Sequence, residues 1–113
     1  MKEFMLIFIN NSQTISNHTP DDWQHIMSRW KTWMESIASK GNLVSPGNRL
    51  GFEGKIVKPG KIIVDGPYTE SKEIVGGYSI IRADSLDQAV EISTGCPILD
   101  FGGTVEVRNV IDM

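Results

Sequence analysis

The chain has 113 residues, 40% of them hydrophobic and 22% charged, with a formal charge of −3 and a pI near 5.3. That is enough for one domain with a real core, residues 1–113, and too little for two. The acidic balance argues against nucleic acid as a partner, because the basic clusters at 29–31 and 55–61 have acids close by. A single cysteine, Cys96, rules out an internal disulfide and suits a reducing cytoplasm. The apolar run at 4–9 is too short to span a bilayer and is followed by Asn10 and Asn11, not by a small-residue cleavage site. A cytoplasmic location, with no leader and no membrane partner, is therefore expected.

"FMLIFIN" (4–10) is short, β-branched and aromatic, which predicts a strand. Its two faces, Phe4/Leu6/Phe8 and Met5/Ile7/Ile9, are both apolar, so something must cover each side of its sheet. "HTPDDWQHIMSRWKTWMESIASKGN" (18–42) predicts a helix. Thr19 suits the N-cap, Pro20 the first turn, and Asp21 and Asp22 the positive end of the dipole. Trp23, Ile26, Met27, Trp30, Trp33, Met34, Ile37 and Ala38 recur at helical spacing as one broad stripe, and Lys40-Gly41 ends it.

"LVSPGNRLGF" (43–52) predicts a strand interrupted at Pro46-Gly47, and "KIVKPGKIIVDG" (55–66) a small hairpin about Pro59-Gly60. "IVGGYSIIRA" (74–83) predicts a strand in which Gly76-Gly77 marks a bulge or a close approach. "DSLDQAVEISTG" (84–95) predicts a second helix. Ser85 and Gln88 form its capping box, and Leu86, Ala89, Val90 and Ser93 form its inner face. Pro97 cannot continue that helix, and "GTVEVRNVI" (103–111) closes the chain as a strand.

The order is strand, helix, strand, hairpin, strand, helix, strand: an α+β, ferredoxin-like β-α-β-β-α-β sandwich with an extra hairpin. Two helices cover one sheet face only. The simplest cover for the other is a second copy of the same sheet, giving a homodimer.

"VDGPYTESKEIVGGYSII" (64–81), followed by a helix, "CP" (96–97) and "VEVRNV" (105–110), resembles the YCII-related family, specifically its DGPF-domain branch. Asp65, Gly66, Pro67, Tyr68, Glu70, Lys72, Glu73, Gly76, Gly77 and Tyr78 fall in register with that branch's motif, with Tyr68 in place of its usual Phe. The resemblance implies a dimeric α/β barrel built from ferredoxin-like protomers. It implies no particular reaction, and it brings one partner class into view, since many such proteins are encoded beside extracytoplasmic-function sigma factors. Other YCII-like proteins carry a His on the first helix and an Asp just before a Pro after the second. Here those places fall near Arg29 or Trp30 and at Cys96, so the His-Asp chemistry does not carry over.

The 64–78 segment reads in two ways. Asp-Gly and Gly-Pro form turns, and Asp65 can cap local N–H groups as a clasp. Asp65, Glu70, Lys72 and Glu73 also set both charge signs beside two or three hydroxyls in a connection longer than most hairpins. In the last strand, Val105 and Val107 alternate with Glu106 and Arg108. If the valines face the helices, Glu106 and Arg108 face the partner sheet, as a salt bridge or as the lining of a polar cavity that Tyr78 or Arg82 joins. Candidate catalytic groups are Asp65, Glu73 and Glu106, and candidate ligand-binding groups are Asp65, Tyr68, Lys72 and Arg108. His25 lies on the polar side of the first helix, and Cys96 reads as a buried structural thiol. No His/Cys/Asp/Glu spacing resembles a metal site, and neither metal nor cofactor is expected. Two functional classes stay open. One is a dimer binding a small polar ligand, with its pocket between sheet and first helix or inside the barrel. The other is a regulatory or interaction module, for example one acting with a sigma factor.

Overall fold

The computed structural model describes residues 1–11, 19–66 and 73–112. The strands are β1 (Lys2–Asn11), β2 (Leu43–Arg49), β3 (Gly54–Lys58), β4 (Ile62–Gly66), β5 (Glu73–Ala83) and β6 (Thr104–Asn109). The helices are α1 (Pro20–Ser39) and α2 (Leu86–Ser93), with a 3-10 turn at Pro97–Phe101 that the sequence reading missed. Four strands form one antiparallel sheet in the order β2-β5-β1-β6, while β3 and β4 pair only with each other. An α+β chain with this sheet and two helices is compatible with a ferredoxin-like fold.

Local chemistry explains where the helices begin and end. The Asp22 N–H donates to Thr19 Oγ1 (3.1 Å) and the Thr19 N–H to the Asp22 carboxylate (2.9 Å), a reciprocal capping box. At the far end the Gly41 N–H donates to Ala38 O (3.0 Å) and the Asn42 N–H to Ile37 O (3.1 Å). With Gly41 at φ +76°, this is a Schellman stop. On α2 the Gln88 N–H donates to Ser85 Oγ (3.1 Å), but the Gln88 carboxamide accepts from the N–H of Asp84 (2.6 Å), one residue earlier than a standard box.

The core lies between the helices and one sheet face. Phe4, Leu6 and Phe8 of β1 meet Ile81 and Ala83 of β5, Trp33 and Ile37 of α1, Ala89 of α2, and Ile98. Burying each large apolar side chain contributes about 1.5–3 kcal/mol. Trp33 also links the two helices, its indole N–H donating to Ile92 O (3.3 Å). The inner face of α2 differs from the sequence expectation: Ala89 and Ser93 are buried and Ile92 half-buried, whereas Leu86 and Val90 are exposed. Small residues let this eight-residue helix sit close to the sheet, and Ser93 tolerates burial because its hydroxyl donates to Ala89 O (2.8 Å). On α1 the apolar stripe is wider than the surface available to it, so Met27 and Ala38 at its margins are exposed.

The other sheet face carries Met5, Ile7 and Ile9 of β1, all half-buried, beside Tyr78 and Ile80 of β5. Val105 and Val107 pack on the core, which turns Glu106 and Arg108 to this open face, opposite Ile7 and Met5. The β3–β4 hairpin stands apart. It turns at Pro59-Gly60, with Gly60 at φ +83°, and exposes Val57, Ile62 and Ile63.

Candidate functional site

On the helix side of the sheet, the row of side chains running across β2, β5 and β1 has a gap. Phe8 pairs with Gly77, which in turn pairs with Arg49, and Leu6 pairs with Ser79. The inner strand thus carries hydrogen and a hydroxymethyl group where its neighbours carry large side chains. Gly77 is needed there for a second reason, since a Cβ on it would stand 2.8 Å from Asn48 O. Beside it Gly76 is a bulge residue, skipped between the Phe8–Gly77 and Ile9–Val75 pairs. A Cβ at Gly76 would lie 2.0 Å from the Asn10 carboxamide nitrogen, so glycine is what admits that side chain.

The gap is roofed by the N-terminal half of α1 and forms a cavity of about 220 Å³. Phe8 lines it from the sheet, Trp23, Ile26, Trp30 and Met34 from α1, Phe52 from the segment after β2, and Ile98 and Phe101 from the 3-10 turn. Trp30 is fixed by edge-to-face contact with Phe8 (4.7 Å between centroids, 80°) and with Trp33 (5.5 Å, 76°). Opposite α1, β2 bulges at Pro46-Gly47 across from Ser79, between the Ser45–Ile80 and Asn48–Tyr78 pairs. The Ser79 hydroxyl donates to Pro46 O (2.8 Å), which supplies a partner where the strand ladder lapses.

The polar content of the cavity is sparse and one-signed. Arg49 is the one charged residue among those lining it, and no Asp, Glu or His does so among the described residues. Its guanidinium sits over the Trp23 ring, 5.1 Å from the centroid. The side-chain amide of Asn48 is engaged by the Tyr78 hydroxyl (3.3 Å). Asn10 brings a carboxamide from the end of β1.

Of the candidate residues taken from the sequence, Asp65, Glu73, Glu106 and Arg108 do not line this cavity, whereas Tyr78 does. Asp65 lies on β4, where its carboxylate pairs with Lys55 across the hairpin. Gly66 follows because a Cβ there would meet the Ile56 side chain at 2.7 Å. Tyr68 and Lys72, with Pro67, Thr69, Glu70 and Ser71, lie outside the described residues. Glu73 opens β5 opposite Asn11. Glu106 and Arg108 are two residues apart on β6, separated from β5 by β1. Arg82 is held elsewhere, its Nε–H donating to Gly41 O (3.1 Å). His25 is exposed.

Arg29, near the expected His position, pairs with Asp100 and lies 5.4 Å from the Phe101 ring centroid. Cys96 is buried, and desolvation pushes its thiol up to about 12, against a smaller lowering by a backbone hydrogen bond at Ile98. These two places therefore hold a guanidinium in a salt bridge and a protonated thiol, neither of which acts as an acid/base pair near neutrality. Among the described residues no group of three His, Cys, Asp or Glu could hold a metal ion, and no helix is long and apolar enough to cross a membrane.

Five of the rings around the cavity come from β1, α1, the segment after β2 and the 3-10 turn, and no local pattern joins these four segments. The missed signal was "GGYS" (76–79), read as a bulge or close approach but not as the space such small residues leave behind.

Fold and site together define an α+β protein in which one helix roofs a small, aromatic-walled cavity on the sheet. The chain belongs to the YCII-related domain family, whose model matches residues 4–113. A comparison with curated proteins finds no match.

Proposed function

We propose that this protein, one domain of the DGPF branch, is a small-molecule-binding homodimer whose ligand occupies the cavity between α1 and the sheet. The cavity carries this reading: it is lined by aromatic rings, Trp30 among them braced by Phe8 and Trp33, and Arg49 is the one charge among its described lining residues. The open sheet face supports the dimer. Met5, Ile7, Ile9 and Ile80 form an apolar surface beside Glu106 and Arg108, and two-fold pairing lets Glu106 of one copy meet Arg108 of the other. The two sheets then enclose an α/β barrel. Binding is favoured over catalysis, because the cavity's described lining offers no carboxylate or imidazole to move a proton.

A thermal-shift screen against a metabolite library tests the ligand. A concentration-dependent rise in Tm supports it, and a flat response across the library counts against it. Sedimentation at micromolar concentration tests the dimer, where a mass of one chain refutes it. The hairpin favours a second reading, an interaction module of the kind that acts with a sigma factor, because Val57, Ile62 and Ile63 stand exposed on an isolated two-stranded arm.

A further inference from the structure

We infer that the cavity under α1 selects a small planar aromatic anion, one or two fused rings bearing a carboxylate, with the ring among the cavity's aromatic walls and the carboxylate at Arg49. The inference rests on the ligand-binding reading above and names the class of molecule that reading requires. Three observations converge on it.

Size comes first. An apolar cavity of about 150 Å³ takes benzene, so about 220 Å³ is room for a substituted single ring or a small bicycle. Wall chemistry is the second. The chain has three Trp, two Tyr and four Phe, and five of these nine line this one space on the helix side of the sheet: Phe8, Trp23, Trp30, Phe52 and Phe101. Aromatic walls favour a flat ring through offset and edge-to-face contacts, worth about 0.5–1.5 kcal/mol per pair beyond the area buried.

Charge is the third. Arg49 shares the helix-facing row with Gly77 and Phe8, so its side chain projects toward α1 and not into the open sheet face. Its guanidinium rests against Trp23, and no described carboxylate forms an ion pair with it. A guanidinium offers N–H donors in a fork that matches a planar, two-oxygen acceptor. Among the described residues no acid lines the cavity to repel an anion. Gly77 leaves the space between Phe8 and Arg49 in which a ring and its carboxylate fit in line.

The test titrates the full chain with three probes by calorimetry: indole-3-carboxylate, indole-3-carboxamide and cyclohexanecarboxylate. Indole N–H resonances of Trp23, Trp30 and Trp33 are followed by NMR alongside. Indole-3-carboxylate is expected to bind at least fivefold more tightly than the neutral amide and than the non-planar acid, with the largest shifts at Trp23 and Trp30. In Arg49→Gln the carboxylate should weaken to the level of the amide while the amide binds as before. If the amide or the cyclohexane acid binds as tightly as indole-3-carboxylate and still shifts Trp23 and Trp30, the ligand class is wrong and the site stands. Binding that leaves Trp23 and Trp30 unmoved, or no binding of any probe, overturns the site and the class together.

Discussion

Replacing Gly47 with alanine tests how β2 is held against β5, and therefore what shapes one wall of the cavity. Gly47 has φ +68°, and a Cβ on it would stand 1.8 Å from the Tyr78 carbonyl oxygen and 2.7 Å from the carbonyl carbon. Carbon contacts settle near 3.5–4.0 Å, so β2 must retreat by roughly 1 Å or more. That retreat breaks the bond from the Ser79 hydroxyl to Pro46 O and weakens the adjoining pairs, about 1 kcal/mol for each hydrogen bond. The left-handed backbone adds about 1–2 kcal/mol for any residue with a Cβ. The expected total is about 3–5 kcal/mol, a large part of a typical stability of about 5–15 kcal/mol. Gly41 provides the control. It has φ +76°, but a Cβ there meets nothing within 4 Å, so Gly41→Ala should lose only the backbone term, about 1–2 kcal/mol. Urea unfolding followed by tryptophan fluorescence measures both, with the midpoint falling and the slope m unchanged. Equal losses in the two variants would refute the close approach of β2 to Tyr78.

Cys96 links stability to pH. Its thiol ionises near 12 when folded and near its ordinary value of about 8.5 when unfolded, so the folded state retains a proton that the unfolded state gives up between those values. Its contribution is complete below about pH 8.5 and is lost as pH rises, by up to about 1.4 kcal/mol per pH unit. Unfolding curves at pH 8 to 10 should show the stability of wild type falling relative to Cys96→Ala, and parallel curves would contradict this. Asp65→Ala should change stability by less than about 1 kcal/mol, because the Lys55–Asp65 pair is largely exposed. A larger loss in chemical unfolding would restore a clasp role. Glu106→Lys should weaken self-association in sedimentation experiments, and adding Arg108→Glu should restore it. Loss of self-association in both would argue against two-fold charge pairing on the open face.

Much of the secondary structure was legible because its causes are local. Thr19 and Asp22 cap α1 through groups three residues apart, and Gly41 ends it by reaching a φ that other residues resist. Pro59-Gly60 turns the hairpin by the same kind of restriction. Alternation in "TVEVRNV" was enough to put Glu106 and Arg108 on the face away from the valines. The inner face of α2 was misassigned because hydrophobicity ranked Leu86 and Val90 above Ser93. Close packing of a short helix instead selects small residues whose polar groups are satisfied internally.

The site was legible only in its parts. The sequence by itself determined that Trp23 and Trp30 share a helix face, that Gly76-Gly77 interrupts a strand, and that Arg49 follows a Pro-Gly break. Only the tertiary structure decided that these meet. Strand pairing sets Gly77 between Phe8 and Arg49, and the bulge at Gly76 admits the side chain of Asn10. A cavity is a deficit of volume among segments distant in sequence, and such a deficit exists only once register has fixed which residues face one another.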